Sequence, residues 1–206
     1  MIPVARPKRP RAFAERCTRR GEAWLATHPL DAKGGGPEPR DYWSAFEPDL
    51  RRAFSERCGW LAMWIACGQV EHYLSKHPPD PKRRRKQRRL AYAWRNLRYA
   101  DASVNLRKGV HDEAVLDPYE VGDDWFALDT ALELEVTAAC PTSERERADF
   151  TLDTLGLRRG TVAMRLRRQY LHEYATSVAH GMDAAAALAL LDAKAPQLAA
   201  HVRAAS

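Results

Sequence analysis

No stretch of this sequence stays apolar long enough to make a membrane-spanning helix, so a transmembrane transporter, channel or anchored receptor is not expected. The opening residues, M-I-P-V-A-R-P-K-R-P-R, are basic and carry no apolar segment, so no secretory leader is expected either. Both features point to a cytoplasmic chain. Cysteine is scarce: Cys17, Cys58, Cys67 and Cys140 are widely spaced, and no C-x-x-C pair occurs. In a reducing compartment these are free thiols. Structural zinc sites use close ligand pairs, so none is expected here. There is no internal repeat, which leaves an ordinary globular domain with a helical appendage.

What the chain does have is apolar bulk and concentrated positive charge. Of its 206 residues 45% are hydrophobic and six are tryptophan, enough for a sizeable core. The formal net charge is +6 and the pI about 9.3. The excess gathers in Lys82 to Arg89, K-R-R-R-K-Q-R-R, seven cations in eight residues. Such a run is either a solvated loop or a contact for a polyanion.

Residues 1–11 read as a mobile tail, followed by a helix over Phe13 to Thr27. Gly and Pro interrupt residues 28–40. A second helix is expected from Tyr42 to Arg57, with Pro48 as a break or kink. Its stripe Trp43, Phe46, Leu50 and Phe54 reads as core. Trp60 to Ile65 fits a buried strand that turns at Cys67-Gly68-Gln69 and returns through Val70 to Tyr73. The basic run then reads as a loop, and Tyr99 to Lys108 as a short helix stopped by Gly109. Residues 125–129 and 131–137 alternate and predict a second hairpin. From Pro141 the pattern is helical, capped by Thr142 or Ser143. Gly160 and Gly181 divide this region, and a final Ala- and Leu-rich helix is expected over 183–204, with Pro196 as a kink.

The chemistry sits between Val70 and Lys108. His72 can take a proton from water near neutral pH, which suits a general base. Glu71 and the side-chain carbonyl of Asn105 offer oxygen to a hard ion such as Mg²⁺ or Mn²⁺. If residues 99–108 are helical, Asp101 shares a face with Asn105 and is a third candidate ligand. Arg98, Arg107 and Lys108 can bind phosphate, and Arg83, Arg84 and Arg85 supply the densest part of the basic run. An acid, an imidazole and a positive field together suit metal-assisted cleavage of a phosphodiester.

Taken in order, V-E-H-Y-L-S-K (70–76), A-Y-A-W-R-N-L-R-Y-A (91–100), N-L-R-K (105–108) and V-L-D-P-Y (115–119) resemble the HNH endonucleases of the ββα-metal superfamily. The similarity is to a bacterial subgroup with a Val-(Asp/Glu)-His-Phe-x-x-Lys motif, followed by A-Y-x-W-x-N-Y-R-L-A, N-S-R-K and V-L-D-P-F. Trp125-Phe126 and the helix from Phe150 to Leu157 also look like that subgroup, and the resemblance covers about residues 41 to 175. It implies an α+β fold with a ββα core and an added hairpin, flanked by N-terminal helices and a C-terminal helical region. The matching divisions are a basic tail and helix at 1–40, a nuclease core at 41–140 and helices at 141–206.

By the resemblance His72 is the general base, Glu71 and Asn105 hold the catalytic Mg²⁺ or Mn²⁺, and Asn96 pins the loop that orients the base. Lys76 and Lys108 become phosphate neighbours. Many members of the subgroup carry two cysteine pairs around this motif. Here only Cys58 stands at such a position, while Ala62, Ala100 and Ser103 have no thiol. The implied substrate is DNA, and the implied setting is antiphage defence, with a regulatory ATPase as partner. The C-terminal helices are the natural surface for that partner or for a second copy. The alternative from another class is a nucleic-acid-binding or sensing subunit that does not cut.

Overall fold

The computed structural model describes residues 1–205. Its chain folds as α+β, with eight α-helices and two small antiparallel sheets among the described residues. A π-helical turn at Ala14–Arg19 runs into α1 (Arg20–Thr27). A 3-10 turn at Ser44–Phe46 leads into α2 (Glu47–Ala53). Pro48 does not break this helix. It lies in the first turn, where a missing N–H costs nothing, so it helps to start α2. Positive φ angles at Ser55 and Glu56 end the segment short of the expected Arg57.

The first sheet corrects the expected hairpin. β1 (Gln69–His72) pairs with β2 (Leu97–Ala100), not with residues 60–65. The Trp60 to Ile65 stretch is a buried turn. Cys58 and Met63 close it by a backbone bond of 2.9 Å, and Ala62 adopts φ 55. Trp60 is fully buried and donates its indole N–H to Leu116 O at 2.9 Å. A short apolar run satisfies a buried turn as well as a buried strand, and periodicity does not separate the two.

Between the strands lies α3 (Pro81–Gln87), so the basic run is a helix and not a loop. Asp80 caps it by accepting from Lys82 N at 2.9 Å, and Pro81 takes the first helical position. Two 3-10 turns, Arg88–Tyr92 and Trp94–Asn96, return the chain to β2. α4 (Ala102–Lys108) begins three residues later than expected, because Tyr99 and Ala100 belong to β2. Gly109 at φ 47 stops it, in a conformation that favours glycine.

The second hairpin has the expected form, with β3 (Phe126–Leu128) against β4 (Leu134–Val136). α5 (Thr142–Thr154) is preceded by Pro141, and neither Thr142 nor Ser143 caps it. α6 spans Thr161–Ala179. The last helix is two: α7 (Ala184–Lys194) ends at Ala195 and Pro196 opens α8 (Pro196–Ala205).

One buried cluster runs from Phe13 through Leu50, Tyr92, Leu97 and Leu152 to Ala199, so the three segments divided by sequence share a core. Each large apolar side chain buried there contributes about 1.5–3 kcal/mol. The N-terminal stretch is tied down rather than mobile. Val4 N donates to Pro118 O at 3.0 Å, and Trp94 donates its indole N–H to Pro7 O at 2.9 Å. All four cysteines are free thiols, and only Cys67 is exposed. No described helix is long and apolar enough to cross a membrane.

Candidate functional site

Period-two alternation puts Gln69 and Glu71 on one face of β1, and helical spacing puts Asn105 and Lys108 on one face of α4. The two faces meet. Asn105 donates from Nδ2 to Gln69 Oε1 at 2.8 Å, and Lys108 Nζ lies 2.9 Å from Glu71 Oε1. The same ammonium donates to His72 O at 3.0 Å. Lys108 is fully buried and Glu71 is 8% exposed, so this is a buried ion pair. Burial pushes the Glu71 carboxyl above its ordinary range, and the Lys108 and Lys76 ammonium groups work against that rise.

His72 occupies the next position on β1, so its side chain leaves the other face of the strand. Its Nε2 lies 3.1 Å from Ala91 O. A carbonyl only accepts, so Nε2 carries the proton and Nδ1 holds the free electron pair. Trp43 packs edge-on against the ring with centroids 4.6 Å apart, and His72 is 3% exposed. Desolvation, helped by the Lys76 charge, lowers its pKa from 6.5 to about 3, so the imidazole is neutral.

Asn96 is a clamp. Its Oδ1 accepts from Leu74 N at 2.8 Å, and its Nδ2 donates to Leu74 O at 2.9 Å and to Leu90 O at 3.2 Å. The loop after His72 is thereby fastened to the 3-10 turn that carries Ala91, the partner of His72. One side chain links the loop that follows His72 to Leu90, the residue before Ala91.

The remaining predicted residues separate into those near the seam and those elsewhere. Asp101 is the N-cap of α4, and its Oδ1 accepts from Ser103 N at 2.8 Å, so that oxygen is engaged in capping the helix. Lys76 is half-buried, its Nζ 5.3 Å from the Trp43 ring. Arg107 is exposed on α4. Arg98 is not available to phosphate. It is 1% exposed and grips Asp117 with Nε at 2.8 Å and a second contact from Nη2. Within the basic helix, Arg83 pairs with Asp112 at 2.9 Å and Glu113 at 3.1 Å. Arg84 donates to Gly34 O at 3.1 Å, and Arg85 to Asp31 O at 3.0 Å.

Sequence reasoning missed four participants. Gln69 partners Asn105, Asp117 holds Arg98, and Trp43 covers His72. The fourth, Asp112, is buried at φ 43 and accepts from Ser75 N at 2.6 Å while binding Arg83. Only Asp117 had a signal, its place inside V-L-D-P-Y. The other three act through contacts distant in sequence.

Among the described residues no group of three or more His, Cys, Asp or Glu side chains is placed to hold a metal. The donors at the seam are instead a carboxylate and carboxamides, all oxygen, which fits a hard divalent ion in kind. Glu71 and Asn105 are the residues that would hold it, with Lys108 already beside the carboxylate. Compared with known proteins, the chain matches no family model, no curated protein and no solved structure.

Proposed function

We propose that this chain is a metal-dependent endonuclease of the ββα-metal (HNH) type that hydrolyses phosphodiester bonds in DNA. The observation that carries the reading is the β1–β2–α4 unit itself. It brings Glu71 and Asn105 onto one seam, with His72 at the next strand position and its Nε2–H on Ala91 O.

In the proposed reaction a water loses its proton to Nδ1 of His72 as its oxygen attacks phosphorus, and the bond from phosphorus to the leaving oxygen breaks. Ala91 O keeps Nε2 protonated throughout and stabilises the imidazolium that forms. Asn96 ties the loop after the base to Leu90 O, on the residue before that carbonyl, and keeps the two in register. Arg107, exposed on α4, supplies positive charge toward the phosphate, while buried Lys108 holds Glu71 and the His72 carbonyl in place. Mg²⁺ or Mn²⁺, when bound at Glu71 and Asn105, supplies Lewis acidity toward the phosphoryl oxygens. At 3% exposure His72 meets no water, so the reaction requires the Trp43 segment to open over the ring.

Two observations favour a second reading, a nucleic-acid-binding subunit that does not cut. Glu71 is already neutralised by a buried ammonium, and the imidazole is sealed. Supercoiled plasmid incubated with Mg²⁺ or Mn²⁺ separates the two. Nicking by the wild-type protein that disappears in His72→Ala, with DNA binding kept, supports the nuclease. Binding without nicking in either metal supports the second reading.

A further inference from the structure

The basic run divides into two kinds of cation. Arg83, Arg84, Arg85 and Arg88 all bond to other parts of the protein, although Arg83 and Arg85 stay exposed. Arg88, for instance, is 5% exposed and donates to His28 O at 2.6 Å and Pro37 O at 2.7 Å. Arg84, Arg85 and Arg88 hold the Gly- and Pro-rich segment 28–40 against α3, and Arg83 ties α3 to Asp112 and Glu113. Lys82, Lys86 and Arg89 are different. All three are exposed, and none has a side-chain hydrogen bond or ion pair among the described residues. Their spacing of four and then three residues places them in one row along α3 and the turn that continues it.

That row ends at a groove between α1 and α3 of about 400 Å³. Arg85, Arg88 and Arg89 form its basic wall, and Leu25, Ala26 and Leu30 its apolar wall, with Glu22 the acidic residue on its edge. Arg88 Nε is a buried donor with no partner. Arg89 directly precedes Leu90 and Ala91, whose carbonyls meet Asn96 and His72. A strand held on this row is therefore delivered to the turn that orients the proposed base.

We infer that Lys82, Lys86 and Arg89, and not Arg83 or Arg84, bind the phosphodiester backbone of a nucleic acid and lead it into the groove beside α1. The inference rests on the nucleic-acid reading given above. Phosphate neutralisation releases counterions, so each contact contributes to the salt dependence of binding, about 0.9 per phosphate on duplex DNA and about 0.7 on single strands.

The test is fluorescence anisotropy across a salt series, with labelled duplex DNA, single-stranded DNA and RNA of one length. The full chain is compared with Lys82→Gln/Lys86→Gln/Arg89→Gln and with Arg83→Gln/Arg84→Gln. The first variant should melt like wild type, bind the polymer more weakly regardless of base sequence, and lose about two to three from the salt slope. The second should melt earlier and keep the slope while folded. An unchanged slope in the first variant, with wild-type binding intact, overturns this inference and leaves the nuclease reading standing. Wild-type protein that binds none of the three polymers overturns both. Phosphatidylserine vesicles provide the last arm. Vesicle binding lost in the first variant, with DNA binding unchanged, assigns the row to a lipid surface and overturns the inference.

Discussion

Two buried ion pairs stand side by side in the first sheet and are built differently. Glu71 and Arg98 are direct cross-strand partners, close enough to pair with each other. Neither does. Arg98 turns to Asp117 with two parallel contacts, donates to Arg95 O and Leu97 O, and lies 3.7 Å from the Tyr119 ring centroid. Asp117 also accepts from Tyr119 N at 3.0 Å. Nearly every polar atom of that pair has a partner, as a structural charge pair in a core requires. Glu71 by contrast meets Lys108 through one oxygen, at the end of a seam lined by carboxamides. The saturated pair holds the strand, and the sparse pair leaves a carboxylate with capacity to spare. The difference marks the second pair as the one to read for function.

The comparison can be broken at either pair. Asp117→Ala leaves Arg98 buried without its carboxylate, and the expected loss is about 3–5 kcal/mol in chemical denaturation. Lys108→Met should cost about 1–3 kcal/mol, because Glu71 sits nearer the surface and can escape its lost partner by taking up a proton. Equal losses would show that the two pairs do the same structural work.

His72 adds a pH dependence of its own to this sheet. Its pKa is lowered from 6.5 to about 3 by burial, so the folded state holds the ring neutral while the unfolded chain protonates it below 6.5. Its contribution is complete above pH 6.5 and falls as pH drops toward 3, by up to about 1.4 kcal/mol per pH unit. Denaturation of wild type and His72→Gln between pH 7 and pH 4.5 (about two units below the ordinary value) should show the stability gap closing as pH falls. A gap that widens would refute the sign. The smallest expected effect is at Arg107, exposed on α4 beside both seam residues. Arg107→Gln should change stability by less than about 0.5 kcal/mol while lowering the salt slope of DNA binding by about 0.9.

Local patterns carried much of the fold. The alternation across 125–137 gave the β3–β4 hairpin, and Gly160 and Pro196 marked real helix boundaries. Where the reading failed, the deciding contact was distant. β1 finds its partner across the whole basic segment, and nothing within residues 60–65 announces that they are a turn. The basic helix was legible in Asp80-Pro81, an N-cap followed by a first-turn proline, but the run of charge outweighed that signal. At the site, the order of Glu71, His72, Asn96 and Asn105 was visible in the sequence. Their surroundings were not. The sealing of His72 depends on Trp43, and the fate of Arg98 depends on Asp117. Charge alone made Arg83, Arg84 and Arg85 look like free cations, when each has a partner supplied from elsewhere in the chain.

The most direct measurement is nicking of supercoiled plasmid by the full chain in Mn²⁺, with His72→Ala and Asn96→Ala alongside. Wild-type nicking is predicted, abolished by His72→Ala and reduced by Asn96→Ala, with both variants still folded and binding DNA. Nicking that persists undiminished in folded His72→Ala would contradict the central claim that His72 is the base.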